Sequence, residues 1–248
     1  MKIKYIFLFL TLSLCACDDY LDITPQGQIK GDELLTTKEG IEDALYGTYA
    51  KMRTSSLYGQ ELSFSTIDVM GGYHSCKGNK TVEALLKYDY NYSAIESTFS
   101  GVWTEMYSNI SAVNNILGCS LLDNPTQYPY TVYRGEALGL RAFMHFDLMR
   151  LYAEQITTNP QADGIPYATE FSLKTPDFES LAKNYEHVIA DLLEAERLLA
   201  GEDNHRNETY FMTSRHIHCN LHAVRALLAR VYLTMGNKTE ALNYALKV

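Results

Sequence analysis

The sequence predicts a mostly α-helical fold built from tetratricopeptide-like helix pairs. Along most of the 248-residue chain, apolar residues recur three or four positions apart, which is the spacing of one face of an α-helix. No convincing run alternates apolar and polar residues as a half-buried β-strand would. The last two predicted helices, at about 214–235 and 238–248, carry small and apolar residues at tetratricopeptide spacing, namely Leu228, Ala229, Tyr232, Ala241 and Ala245.

The N-terminus has the pattern of a bacterial lipoprotein signal peptide. Two lysines precede an almost wholly apolar run at 5–16, which is long enough for a signal-peptide core and too short to span a bilayer. In Leu14-Cys15-Ala16-Cys17 the leucine, the small alanine and the final cysteine resemble a lipobox. We therefore predict a signal peptide at 1–16 and a lipid anchor on Cys17. Cys15 is a weaker alternative, since a leucine would then stand where a small residue is required, and an ordinary secretory signal is the other.

The acidic balance of the chain excludes several classes of partner. The formal net charge is −9, and it becomes −11 if the two N-terminal lysines leave with the signal peptide. A nucleic-acid binder would show a basic stripe, so no nucleic-acid partner is expected. After the signal peptide no apolar stretch is long enough to span a membrane, which leaves the lipid as the expected membrane attachment.

The remaining cysteines do not define a site. Cys76, Cys119 and Cys219 are an odd number at wide spacings, so one disulfide is possible in an exported protein but its pair cannot be chosen. The chain contains no Cys-x-x-Cys, which excludes the usual structural zinc site. The disulfide state of the three cysteines therefore stays open at the level of sequence.

The first predicted elements are a tether, a helix and a loop. Residues 17–35 are predicted to form an extended tether that proline and glycine interrupt. A capping box at 36–39, with a threonine facing a glutamate three residues later, opens a helix. The apolar face of this helix consists of Ile41, Leu45, Tyr49 and Met52. A less clear segment at 62–70 ends at two glycines, and 71–96 is predicted to be a polar, tyrosine-rich loop.

Three longer helices are predicted in the middle of the chain. The first carries on one face Trp103, Tyr107, Ile110, Val113 and Leu117. The second runs from about 132 to 155 and is followed by an irregular linker at 159–166. The third begins at Thr175-Pro176, because proline is favoured in a first helical turn. Its apolar face consists of Leu181, Tyr185, Val188, Leu192, Ala195 and Leu199, and a polar turn follows at 201–207.

Six segments, taken in order, resemble one protein family. They are Cys17-Asp-Asp-Tyr-Leu-Asp22 with Pro25; Trp103-x-x-x-Tyr107-x-x-Ile110-x-x-x-Asn114-x-Ile116-Leu117; Gly135-Glu-Ala-Leu-Gly-Leu-Arg141-Ala-Phe-Met-His-Phe-Asp-Leu-Met-Arg150-Leu-Tyr152; Gly164-Ile165-Pro166-Tyr167; Tyr185-x-x-x-Ile189-x-Asp191-Leu192-x-x-Ala195; and Ala226-Leu-Leu-Ala-Arg230-Val-Tyr232-Leu233. Together they cover nearly the whole chain, and they resemble the SusD/RagB family of nutrient-binding outer-membrane lipoproteins.

This resemblance implies an architecture and a role. It implies a SusD-like α-helical fold and a surface-exposed lipoprotein that sits as a lid on a SusC-like, TonB-dependent outer-membrane transporter. The usual cargo is an oligosaccharide, with peptide uptake a further reading, and the resemblance implies neither enzymatic activity nor a cofactor. Family members are considerably longer than this chain, and Val248 falls inside a periodic helix. We therefore expect 36–248 to be an incomplete N-terminal helical domain that lacks its C-terminal half.

The predicted ligand contacts lie in the tyrosine-rich loop. The chain has 19 tyrosines against 9 phenylalanines, and tyrosine joins an apolar face to a polar tip that suits sugar-like ligands. Loops held on a rigid scaffold supply most binding residues. We predict stacking by Tyr73, Tyr88 and Tyr90 and hydrogen bonding by His74 and Asn79. If the three rings are instead buried against helices, the alternative of a non-catalytic tetratricopeptide-type interaction scaffold on the outer membrane gains support.

We assign the other clusters of polar residues a structural role and not a catalytic or metal-binding one. His216, His218, Cys219 and His222 are the one metal-like group, in which His218 and His222 would share a helix face. We expect no metal site there, because the face is predicted to be solvated and to have no acidic partner. The pairs Glu194/Glu196 and Glu202/Asp203 are interpreted as ordinary solvated acids. Helix periodicity likewise gives a structural role to Trp103, Arg141, Arg150 and Tyr152.

Overall fold

The structure, a computed structural model, describes residues 34–205 and 208–248, and this part of the chain is mostly α-helical. Its α-helices are α1 (Lys38–Met52), α2 (Thr66–Met70), α3 (Lys80–Leu86), α4 (Ser93–Leu117), α5 (Tyr130–Tyr152), α6 (Leu181–Leu199), α7 (Tyr210–Thr213), α8 (Leu221–Thr234) and α9 (Lys238–Ala245). Two short strands, β1 (Asp163–Pro166) and β2 (Phe178–Ser180), pair in antiparallel orientation. The predicted α-rich class is confirmed. The predicted signal peptide, the anchor Cys17 and the tether as far as residue 33 lie outside the described residues.

Helix α5 lies at the centre of the hydrophobic core. It packs against α4, α6, α1 and β1, and apolar side chains such as Tyr133 and Phe146 are fully buried. Two glycines let neighbouring segments approach its backbone closely. A Cβ at Gly135 would lie 2.8 Å from Cγ of Leu199, and one at Gly139 would lie 2.7 Å from Sγ of Cys219. The close packing of α6 and of the segment before α8 on α5 therefore depends on these glycines.

Helix α1 begins one residue later than the predicted capping box. Thr37 is the N-cap, and its Oγ1 accepts the backbone N–H of Gly40 at 3.1 Å. The residue three positions after this cap is glycine, so the reciprocal glutamate bond of a capping box has no place here. The predicted apolar face is confirmed at Ile41 and Leu45, which are fully buried.

The tyrosine-rich segment contains a short helix that the sequence pattern did not indicate. Helix α3 begins after Asn79, whose Oδ1 accepts the backbone N–H groups of Thr81 at 3.1 Å and Val82 at 3.2 Å. A small apolar cluster separate from the main core joins α2, α3 and the start of α4, and it consists of Val69, Ala84, Leu85 and Ile95. The predicted loop at 71–96 is therefore wrong for residues 80–86 and from residue 93 onward.

The region between α5 and α6 contains the two strands in place of the predicted helix start. Helix α6 begins at Leu181 rather than at Thr175-Pro176, and Oγ of its N-cap Ser180 accepts the backbone N–H of Lys183 at 3.3 Å. Strand β2 immediately precedes it and pairs with β1. These strands have four and three residues, which is too short for an alternating pattern to be recognised.

The C-terminal helices form the predicted antiparallel pair with corrected bounds. Helix α8 begins at Leu221, whereas the predicted helix from 214 includes the separate 3-10 turn Arg215–Ile217. Gly236, at a φ of 77°, makes the turn into α9, and the rings of Tyr232 and Tyr244 stack with centroids 5.6 Å apart. Leu228 and Ala241 are buried as expected for a tetratricopeptide pair. Within the described ranges no helix is long and apolar enough to cross a membrane.

Candidate functional site

A cleft of about 500 Å³ lies between α4 and residues 166–177, and we call it the aromatic cleft. Trp103 and Tyr107, one helical turn apart on α4, form its apolar side with ring centroids 4.8 Å apart. Polar side chains share the lining, namely Ser111, Asn114, Thr169, Glu170, Ser172, Lys174, Thr175 and Asp177. Rings next to converging hydrogen-bonding groups are the usual composition of a small-molecule site.

Hydrogen bonds from α4 hold the opposite wall of the aromatic cleft. The Tyr107 hydroxyl donates to the carbonyl of Pro166 at 2.8 Å. The side-chain amide of Asn114 donates to the carbonyls of Ala168 at 2.9 Å and Glu170 at 3.3 Å. Burial raises the pKa of Tyr107 well above its ordinary value, so its hydroxyl stays protonated and remains a donor. Side chains of α4 on one wall are therefore hydrogen-bonded to backbone carbonyls of residues 166–170 on the other wall.

A buried ion pair between Arg141 on α5 and Asp191 on α6 supports the cleft wall formed by residues 166–177. Nε and Nη2 of Arg141 donate to the two carboxylate oxygens of Asp191 at 2.8 and 2.7 Å. Nη1 of the same guanidinium donates to the carbonyl of Thr169 at 3.1 Å and to Oδ1 of Asn114 at 3.2 Å. The Tyr167 hydroxyl donates to Asp191 at 2.7 Å. Arg141 therefore has the predicted structural role, and its contacts position the cleft wall.

His145 adds a neutral bridge to the same segment. Its Nε2 accepts the backbone N–H of Ala168 at 3.1 Å, so the ring proton sits on Nδ1, which donates to the carbonyl of Arg141 at 3.0 Å. Burial lowers the pKa of His145 to about 3, with a smaller lowering effect from the nearby Arg141 charge. The ring of Tyr167 stacks on His145, with centroids 3.9 Å apart. This wall of the cleft is thus built around a histidine that must remain uncharged.

A shallow aromatic hollow of about 350 Å³ adjoins the cleft and shares Trp103 with it. Its other lining residues are Tyr90, Glu96, Phe99, Ser100 and Tyr152. Ring centroids lie 5.7 Å apart for Tyr90 and Phe99, 6.0 Å for Phe99 and Tyr152, and 4.9 Å for Tyr152 and Trp103. We call the five residues Tyr90, Phe99, Tyr152, Trp103 and Tyr107 the aromatic row. Neighbouring rings meet edge to face, at 76° to 87°, or tilted at 48°, so the row offers apolar ring surface in changing orientations beside polar groups.

The five predicted contact residues are not brought together in this site. Tyr73, Tyr88 and Tyr90 are 80%, 55% and 53% exposed, so they are not buried against helices, and none of their rings contacts another of the three. Only Tyr90 lines the hollow. The Tyr88 hydroxyl donates to the carbonyl of Met70 at 2.8 Å, and His74 lies 3.7 Å from a carboxylate oxygen of Asp68. The side-chain oxygen of Asn79 is occupied by capping α3.

The cleft residues that the sequence reasoning missed lie on a predicted helix. Phe99, Trp103 and Tyr107 are spaced four residues apart, and the periodicity indicated only a packing face. All three are half-buried and line the hollow or the cleft. Trp103 and Tyr107 also pack against the main core, and Phe99 packs against the small apolar cluster next to it in sequence. The signal that the sequence offered for this site was three aromatic residues spaced four positions apart along one side of a helix.

The histidine cluster has a different arrangement from the predicted one. His218 precedes α8 and is buried, whereas His222 is exposed on α8, so the two do not share a helix face. The expected lack of an acidic partner is also wrong. Nδ1 of His218 lies 2.8 Å from the buried carboxylate of Glu136, which also pairs with Arg215 and accepts the Tyr49 hydroxyl at 2.6 Å. This buried group ties α1, α5 and the segment before α8 together.

The remaining acids and cysteines belong to the scaffold. Glu202 is buried rather than solvated: it accepts Nε of Arg215 at 2.8 Å and the backbone N–H of Leu221 at 2.6 Å. Glu194 pairs with Arg197 at the surface, as interpreted from the sequence. Cys76, Cys119 and Cys219 are free thiols.

Comparison with known proteins decides the family. A family model for SusD-like proteins, described as starch-binding and associating with the outer membrane, matches residues 19–233. The chain belongs to the SusD-like family. SusD-like protein P2 of Formosa agariphila is 26% identical over an alignment of 251 positions, which covers 98% of this chain and 45% of that protein. The chain thus spans less than half the length of this curated SusD-like relative.

Solved structures of SusD-like proteins share the fold. A protein from Bacteroides vulgatus, described as a putative sugar-binding protein, matches with a TM-score of 0.64 and 25% identity, covering 84% of this chain and 45% of that one. A protein described as a laminarin-binding SusD-like protein matches with a TM-score of 0.58 and 19% identity, covering 84% and 42%. These matches confirm the expected SusD-like helical fold, and the chain spans less than half the length of each of the two solved structures.

Proposed function

We propose that this chain is the N-terminal part of a nutrient-binding lipoprotein that captures oligosaccharides at the bacterial outer membrane. The observation that carries the proposal is the aromatic row from Tyr90 to Tyr107, which links the hollow to the polar-lined cleft. Sugar rings present C–H faces that stack on aromatic rings, and their hydroxyls pair with polar groups at the edges. Membership of the SusD-like family supports the same ligand class.

The proposed mechanism is binding without turnover and without a cofactor. The oligomer stacks along the aromatic row while the polar lining of the cleft pairs with its hydroxyls. The protein holds it near the membrane and transfers it to a TonB-dependent, SusC-like transporter. The lipobox pattern predicts lipidation of Cys17, which would attach the domain to a membrane. Membership of the SusD-like family supports the outer membrane as that location. Tyr73, Tyr88, His74 and Asn79 remain proposed as outer contacts, on a surface separate from the cleft.

A scaffold function is the second candidate. The α8–α9 pair and the residue that caps α9 expose large apolar side chains, namely Leu233 at 62%, Leu242 at 59% and Leu246 at 78% exposure. An exposed apolar face on a tetratricopeptide-type pair is typical of a surface that packs on further helices or on a partner protein. The scaffold function is favoured over oligosaccharide capture if the aromatic row binds no sugar.

Fluorescence of the single tryptophan tests ligand capture directly. Trp103 is the only tryptophan in the sequence, and it lines both the hollow and the cleft. Laminarin oligosaccharides are the first probes, since a similar protein is described as laminarin-binding. We expect a saturable fluorescence change that Tyr90→Ala weakens. Tyr210→Ala should leave it unchanged, because that exposed ring lines neither the hollow nor the cleft. If no neutral or acidic oligosaccharide perturbs Trp103, ligand capture by the aromatic row is contradicted.

The transporter partnership needs a separate measurement. The full-length, lipidated protein would be isolated from native outer membranes and its partners identified by mass spectrometry. Near-equal recovery of a TonB-dependent transporter supports uptake. If no such transporter is recovered under detergent conditions that preserve other membrane complexes, the scaffold function remains as the alternative.

A further inference from the structure

The outer wall of the aromatic cleft contains a segment, residues 171–177, that is attached to the rest of the protein at its two ends. We call this segment the strap. Before it, the side-chain amide of Asn114 donates to the carbonyl of Glu170 at 3.3 Å. After it, Phe178 begins β2 and is paired with Pro166 of β1. The strap therefore connects two points that the scaffold holds in place.

Between these points the strap makes no hydrogen bond to any other part of the chain that the structure describes. Its own hydrogen bond, from the backbone N–H of Lys174 to Oγ of Ser172 at 3.0 Å, joins the strap to itself. Every strap residue except Pro176 is exposed. Segments with exposed backbone groups and few buried contacts open at low free energy, and ligand-binding loops are drawn from such segments. The strap is therefore free to move while α4 and the two strands stay in place.

The strap carries one apolar side chain at the aromatic cleft. Leu173 lines the cleft and is fully exposed, so it contacts water where a packed leucine would have apolar neighbours. Trp103 and Tyr107 lie across the cleft on α4. Phe171 of the same strap is also exposed but lines neither the cleft nor the hollow. The position of Leu173 opposite the rings, and not its exposure alone, therefore distinguishes it from an ordinary surface side chain.

We infer that the strap closes over a sugar bound in the aromatic cleft, and that Leu173 covers the face of the sugar ring that Trp103 leaves free. The inference rests on the proposed oligosaccharide ligand. A sugar ring stacked on an indole has a second C–H face that still contacts water, and covering it with Leu173 removes apolar surface of both groups from water. Ser172 and Thr175 also line the cleft, so closure brings their hydroxyl groups to the polar edges of the sugar.

Closure of the strap should slow release of the ligand more than it changes capture. Ordering the strap costs conformational entropy, and affinity differences between related complexes lie mostly in the dissociation rate. Stopped-flow fluorescence of Trp103 with laminarin oligosaccharides measures both rates on the full chain. We expect Leu173→Ser to release the ligand several-fold faster than the wild type, with nearly the same association rate. Because Leu173 is fully exposed, the substitution should leave the melting temperature unchanged.

Hydrogen exchange measures the closure itself. In the free protein the backbone N–H groups of the strap should exchange rapidly, because apart from that of Lys174 they have no partner in the described residues. Saturation with laminarin oligosaccharides should slow exchange within residues 171–177. Leu173→Ser should show less of this protection at the same fraction of bound ligand.

Phe171→Ser is the matched control, because it removes an exposed apolar side chain of the same strap that lies outside the cleft and the hollow. It should leave both rates unchanged. Wild-type dissociation in Leu173→Ser, unchanged exchange in the strap, or an equal effect of Phe171→Ser would each overturn the inference. If one of these results is obtained while oligosaccharides still perturb Trp103, capture at the aromatic row stands without closure. If no oligosaccharide perturbs Trp103, capture at the aromatic row fails, and closure of the strap over a sugar fails with it.

Discussion

Nε2 of His145 accepts the backbone N–H of Ala168 at 3.1 Å, which joins the central helix α5 to the wall of the aromatic cleft. A protonated imidazole has no lone pair with which to accept this bond. The geometry of the cleft wall is therefore coupled to the protonation state of one buried side chain.

Acidification should destabilise the fold through His145. Its pKa is lowered from 6.5 to about 3 by burial, so between these values the unfolded chain binds a proton that the folded chain excludes. The folding stability that neutral His145 contributes is fully present above pH 6.5, and it decreases as the pH falls toward 3. At pH 5 the loss is about 2 kcal/mol, because each pKa unit corresponds to about 1.4 kcal/mol. Urea denaturation at pH 7.5 and pH 5 measures it. His145→Gln should show a smaller difference between the two pH values than the wild type, and an equal difference would contradict the assignment.

Removing Arg215 should destabilise the protein strongly. Arg215 neutralises two buried carboxylates, Glu136 and Glu202, and its removal leaves both without their cation. Breaking a buried pair in this way costs about 3–5 kcal/mol. Denaturation of Arg215→Met measures the loss, with Arg197→Met as the control, since Arg197 pairs with Glu194 at the surface. A loss no larger than that of the control would show that the buried group contributes little.

The same substitution at two helical glycines should have opposite effects. Gly135→Ala places a methyl group 2.8 Å from Cγ of Leu199, so α6 must shift and about 1–3 kcal/mol is lost. Gly101→Ala on α4 meets nothing within 4 Å, and the better helix propensity of alanine should stabilise by up to about 1 kcal/mol. Thermal unfolding of the two variants measures both changes. Equal melting temperatures would show that α6 does not depend on the close approach at Gly135.

Deleting one hydroxyl should loosen the aromatic cleft. Tyr107→Phe removes the bond to the carbonyl of Pro166 and should cost about 1 kcal/mol of stability. It should also weaken oligosaccharide binding measured through Trp103, because the segment at 166–177 loses one attachment to α4. Tyr210→Phe is the control, since that ring is 80% exposed and lines neither the cleft nor the hollow. Unchanged affinity in Tyr107→Phe would show that the wall is held well enough by Asn114 and His145.

The long helices were predictable because their periodicity persists over several turns. Residues such as Ile110, Val113 and Val188 occupy the buried faces that their spacing predicted. Short elements were not predictable in this way. Helix α3 has seven residues, and β1 and β2 have four and three, so tertiary contacts rather than pattern determine them.

The candidate site and the buried group around Glu136 were less predictable because each joins residues far apart in sequence. Tyr107 bonds to Pro166, 59 positions away, and His218 bonds to Glu136, 82 positions away. No local spacing carries such a relationship. The sequence reasoning therefore placed His218 on a solvated helix face, and it assigned Trp103 only to packing.

Trp103 lies on the border of two recesses, and for the proposed oligosaccharide ligand this position would set a minimum useful length. A single sugar unit can occupy the hollow or the cleft and gains the contacts of one of them. A chain that reaches across Trp103 occupies both, and its second contact forms at the high local concentration that the first one creates. The protein would then discriminate by degree of polymerisation, retaining polymer fragments and releasing monomers.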